Sequence, residues 1–156
     1  MRCLIRNLKL SLYSKNGHKK FGLIIFLISI LIFITIKDKI SEKNLLELAS
    51  SDMFNISGVL AGFIFTGLGM IITSTSKMIE DIKATDNFCV VKNYYSGTII
   101  FFLITIILYL FKICVIGLNI GEVWIKLYLY LIIVSFVAGI LFFIISLKIL
   151  NAIIND

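Results

Sequence analysis

Apolar and polar positions fall into long blocks along this chain rather than into alternation. Continuous apolar runs occupy 21–36, 53–73, 96–118 and 123–150, with short polar stretches between them. Each run is near the ~20 residues that a helix needs to cross ~30 Å of hydrocarbon. A backbone in lipid must satisfy its own hydrogen bonds, so each run is expected to be a helix. Unbroken runs argue against an outer-membrane barrel, whose strands alternate. The expected fold is all-α: one integral membrane domain over 1–156, a four-helix bundle with an N-terminal interfacial amphipathic helix.

The residues between the runs supply orientation. Arg2, Arg6, Lys9, Lys15, Lys19 and Lys20 precede the first run with no acidic residue among them. With four spans both termini share a side, and that side also receives Lys77, Lys83, Lys92 and Lys148. The opposite side offsets Lys37, Lys39 and Lys43 with Asp38, Glu42, Glu47 and Asp52. The positive-inside rule then puts both termini in the cytoplasm, with the chain in a bacterial inner membrane. A basic segment before an apolar run also resembles a secretory signal peptide, but Ile36-Lys37-Asp38-Lys39 follows the run where a small-x-small cleavage site would stand. The first run is therefore read as a retained span. Composition agrees with the bilayer as solvent: 60% of residues are hydrophobic, and mean hydropathy is +1.05.

The polar segments have patterns of their own. Residues 1–20 read as a basic interfacial helix and turn. Ile5, Leu8 and Leu12 share one face, while Arg2, Arg6 and Lys9 share another that suits anionic headgroups. In the loop at 37–52, Ser41 is a candidate N-cap for a short helix whose Leu45, Leu46 and Leu48 rest on the outer interface. The second span stands apart by its small residues. Gly58-x-x-x-Gly62, with Ala61 and with Thr66 four residues later, makes a stripe suited to close helix contact, inside the bundle or between copies. This span is expected to be the most buried. Residues 74–95 read as a hairpin projecting into the cytoplasm, with the second span running on past Thr73 and with Glu80, Asp81 and Lys83 facing water to dock a partner. Tyr94 and Tyr95 are expected at headgroup level, as are Trp124, Tyr128 and Tyr130 on the other side. Lys112 is the one charge well inside a span, and it is expected to snorkel to the outer interface.

Little here suits catalysis. His18 is the sole histidine, and Cys3, Cys89 and Cys114 are too scattered for a disulfide framework or a metal site. No HExxH, paired intramembrane carboxylate or serine-centred nucleophile motif occurs. The expectation is a protein without enzyme activity, catalytic residue, metal or cofactor. A small cation carrier of this size needs an acidic residue in a span, and none is present. The basic cluster lacks an aromatic stacking set, so anionic lipid rather than nucleic acid is its expected polyanion.

The small-residue second span, with Ile56-Ser57-Gly58-Val59-Leu60-Ala61-Gly62-Phe63, leads into the charged stretch 74–93. That layout resembles the small four-span membrane subunits of bacterial anti-phage systems such as Kiwa, and tetraspan effector domains of CRISPR and cyclic-oligonucleotide defence. The resemblance implies a membrane sensor or effector working with a cytoplasmic partner, and carries over no catalytic residue. The expected function is a self-associating inner-membrane subunit that docks a cytoplasmic protein. The competing expectation is a holin-like oligomer that permeabilises the membrane.

Overall fold

The computed structural model describes residues 17–36, 38–75, 77, 80, 83, 84, 86–117 and 121–154. The chain is all-α: among the described residues no strand occurs, and four helices are long and apolar enough to span a bilayer. Of the basic interfacial helix and turn expected at 1–20, residues 1–16, with Arg2, Arg6 and Lys9, lie outside the described residues, as does Asp81.

Among the described residues five helices follow in order: α1 Gly17–Ile36, α2 Glu42–Leu48, α3 Ser51–Thr73, α4 Asp86–Gly117 and α5 Glu122–Ile154. At 1.5 Å per residue, α1 is about 30 Å long and α3 about 35 Å, which matches the hydrocarbon. The antiparallel pair α4–α5 is longer, 32 and 33 residues, or about 50 Å. The short link between them fixes one end, here the loop end. Their surplus of roughly three turns therefore projects at the other end, which carries the start of α1 and the tail of α5.

Local chemistry accounts for the helix limits. The Ser41 hydroxyl accepts from Asn44 N–H at 3.3 Å and starts α2 as expected. Glu122 opens α5, where its charge suits the helix N-terminus, and pairs with Lys126 one turn on at 2.7 Å. Here α3 departs from the sequence reading. It stops at Thr73, capped by the Ser74 N–H on the Met70 carbonyl, rather than continuing outward.

The core sits along α4–α5. Two phenyl rings lock this seam, each against a glycine of the facing helix. Phe142 of α5 lies over Gly97, where a Cβ would come within 2.9 Å of the ring. Phe102 of α4 lies over Gly139, where a Cβ would come within 2.8 Å. Thr105 and Ser135 share a buried hydrogen bond of 2.8 Å across the same seam. Of the most apolar stretch in each span, 39% is buried in α5 against 22% in the α2–α3 segment. The second span is therefore not the most buried, because it flanks the pair and packs chiefly on α4.

The contact face of α3 is Ser57, Ala61, Ile64 and Leu68, an i, i+4, i+7, i+11 stripe. On the opposite flank α1 touches α4 and α5 sparsely. Its Leu23, Phe26, Leu27 and Leu31 are open to lipid. Tyr130 O–H donates to the Ser29 carbonyl at 2.9 Å and ties α1 to α5 at mid-span.

Candidate functional site

The expected site residues separate into three groups in space. In the small-residue stripe, Ala61 is buried against α4, but Gly58 and Gly62 have nothing within 4 Å of a Cβ position, and Thr66 is exposed. Helical geometry explains the split. Residues 57, 61, 64 and 68 form one face, and 58, 62 and 66 form the next, turned away from α4. Thr66 Oγ1 bonds the Gly62 carbonyl of its own helix at 2.9 Å. Of the two alternatives for the glycines, contact inside the bundle is corrected: within one chain this stripe faces outward. Ser57, on the buried face, has a fully buried hydroxyl with no hydrogen-bond partner.

The charged trio at 80–83 also divides. Glu80 is exposed, as are Lys77, Lys92, Lys148, Lys19 and Lys20. Lys83 is not a free surface charge. Its Nζ donates to the Ile72 carbonyl at 2.7 Å and to the Ser74 carbonyl at 2.6 Å. It stands where a C-terminal basic residue belongs, satisfying orphan carbonyls of a helix whose own last turn has no cation. The expectation that Lys83 points to water is corrected on that ground.

The aromatic anchors move as well. Tyr94 and Tyr95 are buried in the bundle with Val90, Val91 and Phe142 rather than set among headgroups. The edge of the His18 ring approaches Tyr94 with centroids 6.3 Å apart. The projecting end of α4–α5 is thus rooted in the same core as the rest of the bundle and carries exposed cations. At the loop end Trp124 is exposed as an interfacial residue should be. Tyr128, by contrast, donates to the Leu108 carbonyl and Tyr130 to that of Ser29, so both cross-link helices.

Lys112 has a role that spacing did not reveal. Its Nζ donates to the Ala49 carbonyl at 2.6 Å and lies 5.1 Å from the centre of the Tyr109 ring. Ala49, fully buried, is the C-cap of α2. Lys112 therefore caps α2 and pins it on the bundle, with Leu45 and Ala49 packed against Leu129 and Ile132. Tyr109 in turn stacks on Phe54 of α3 with centroids 5.2 Å apart. Leu46 and Leu48 stay exposed and are free to rest on lipid, but Leu45 is core.

Among the described residues no three His, Cys, Asp or Glu side chains gather closely enough to hold a metal ion. The seam hydroxyls are engaged locally: Thr98 donates to the Tyr94 carbonyl and Ser146 to that of Phe143, and of Thr105 and Ser135 one donates across the seam while the other donates to its own helix carbonyl, Phe101 or Ile132.

These observations define the class: a multi-pass, four-span membrane protein built on one long antiparallel helix pair. No protein-family model, curated protein or solved structure matches the chain.

Proposed function

We propose that this protein is a non-enzymatic subunit of a bacterial inner membrane, with both termini cytoplasmic, that self-associates and docks a cytoplasmic partner. The partner face is the projecting end of α4–α5 with Glu80, Lys77, Lys92 and Lys148 around it. The observation that carries this reading is the projecting end itself: paired helix that runs on past the start of α1, rooted in the bundle core at Tyr94 and Tyr95. An end rooted in this way holds its exposed charges in fixed positions, which suits a partner of complementary shape and charge. The outward glycine stripe of α3 is the surface for a second copy. The layout shared with four-span defence subunits makes a sensor or effector role against phage the biological reading.

The competing class is a permeabilising oligomer. The local bonds of the seam hydroxyls favour the scaffold, since these groups are spent on helix carbonyls or on one another. Membrane potential recorded during expression of the chain alone tests the choice. A sealed membrane is expected, and prompt depolarisation overturns the scaffold. Lys92→Glu with Lys148→Glu should abolish partner capture while the bundle melts as before; Lys83 is left in place because it caps α3. Orientation has a built-in reporter near the start of α4. In a Cys3→Ser and Cys114→Ser background an impermeant thiol reagent should reach Cys89 only after the cells are opened.

A further inference from the structure

The flank between α1 and α5 holds a cavity of about 300 Å³ at the level of the hydrocarbon. Its walls are Ile25, Ile28 and Ile32 of α1 and Ile133, Val137 and Leu141 of α5. Two polar residues reach it, Ser29 and Tyr130, and both are already satisfied: Ser29 Oγ donates to the Phe26 carbonyl, and Tyr130 O–H to the Ser29 carbonyl. Water needs two to four polar partners to stay in a cavity, and this one offers none to spare. The volume falls at the lower end of ligand pockets. The lining runs about 10 Å along α1 and about 16 Å along α5, so the space is long and narrow.

Charge marks one end of it. Lys148 lies seven residues beyond Leu141, two turns along the same face of α5, and is exposed. Lys19, also exposed, stands at the matching end of α1, six residues before Ile25 and about 120° around the helix from it, so its long stem has to carry the ammonium back to the groove mouth. Each ammonium rides on a flexible four-carbon stem at headgroup depth. At the other end the cations are offset: Lys39, just past α1, follows the exposed Asp38, and Lys126 of α5 is paired with Glu122.

We propose that this groove is a binding site for one anionic phospholipid from the leaflet at the N-terminal end of α1. One acyl chain fills the space between α1 and α5, and the phosphate sits between Lys19 and Lys148. The lipid completes a contact that the protein leaves thin, because α1 touches α4 and α5 only sparsely. The proposal requires the membrane placement of α1 and α5 but not the docking role.

Native mass spectrometry of the full chain, released from vesicles of equal phosphatidylglycerol and phosphatidylcholine, tests it. The unmodified protein should retain one phosphatidylglycerol, preferred by about thirtyfold over phosphatidylcholine, as expected for two interfacial cations. Val137→Phe and, from the opposite wall, Ile28→Phe should each remove that adduct, with helix content and melting in lipid-free detergent retained by at least one of them. Lys19→Gln with Lys148→Gln should keep a lipid but lose the preference. Retention in both filled variants, or a lipid ratio equal to that of the vesicles, overturns the site. So does a dimer that disappears with Val137→Phe, which would make the occupant a second copy.

Discussion

Two pairs of glycines in neighbouring spans live in opposite surroundings. Gly97 and Gly139 each receive a buried phenyl ring from the facing helix, while Gly58 and Gly62 face open space on the outside of α3. Motif strength points the other way. The second pair has the GxxxG spacing, and the first has no shared helix at all. What separates them is the partner surface. In lipid there is no hydrophobic drive to bring helices together, so association depends on fitted packing. A glycine contributes when a large residue on the next helix is in register to fill it, as Phe142 and Phe102 are.

The sharpest way to break this contrast is to fill the seam. Gly139→Leu or Gly97→Leu has to displace a phenyl ring that is itself fully or nearly fully buried. The expected loss is 3 kcal/mol or more, beyond the ~1–3 typical of overpacking, read as thermal unfolding in detergent. Pairing Gly139→Ala with Phe102→Leu should recover part of the single-variant loss, since the two residues touch and their effects cannot add. Next in size is Lys112→Met. It removes a charged donor from the Ala49 carbonyl, worth roughly 1.5 kcal/mol, and should free α2 locally. Faster hydrogen exchange over 42–49 with little change in the global melt is the expected sign.

Much of the fold was legible in the pattern of apolar blocks, because lipid allows few alternatives to a continuous helix. The four spans, the Ser41 cap and the lipid-facing α1 follow from block length and local chemistry. The site residues were harder for a specific reason: position on a helix face says which residues are neighbours, not which face has a partner. Ser135 and Gly139, four apart in the fourth span, were a small-xxx-small signal equal to Gly58 and Gly62, with Gly97-Thr98 on the facing span to match. Reading both spans together would have pointed to the seam. The caps made by Lys83 and Lys112 were less accessible, since they join a cation to carbonyls 9 to 63 positions away. Tyr94 and Tyr95 misled because an aromatic at headgroup depth suits either the interface or a core, and α5 supplies the core.

A smaller effect belongs to the Thr105–Ser135 bond, the polar member of the same seam. Thr105→Val should cost about 0.6 kcal/mol, the average found for interhelical hydrogen bonds in membranes. Ser135 keeps its bond to the Ile132 carbonyl, so no group is orphaned. A loss several times larger in the thermal melt would mean that the seam relies on its hydroxyls more than on its glycine sockets.

The smallest expected effect on the single chain is also the one that decides what the outer face of α3 is for. At Gly58 and Gly62 a Cβ would meet nothing within 4 Å, on a face turned away from α4, so Gly58→Leu and Gly62→Leu should leave unfolding of the monomer unchanged. If that face meets a second copy, the same substitutions should hold the two backbones apart and shift the detergent-solubilised protein to its monomer mass in light scattering. Three outcomes separate cleanly. A stable monomer with lost association makes the stripe an intermolecular seam. A destabilised monomer would put the stripe inside the bundle, against the geometry of Ser57, Ala61, Ile64 and Leu68. No change in either quantity would leave the face to lipid and remove self-association through α3, because a leucine in each socket is too large for any close helix partner to ignore.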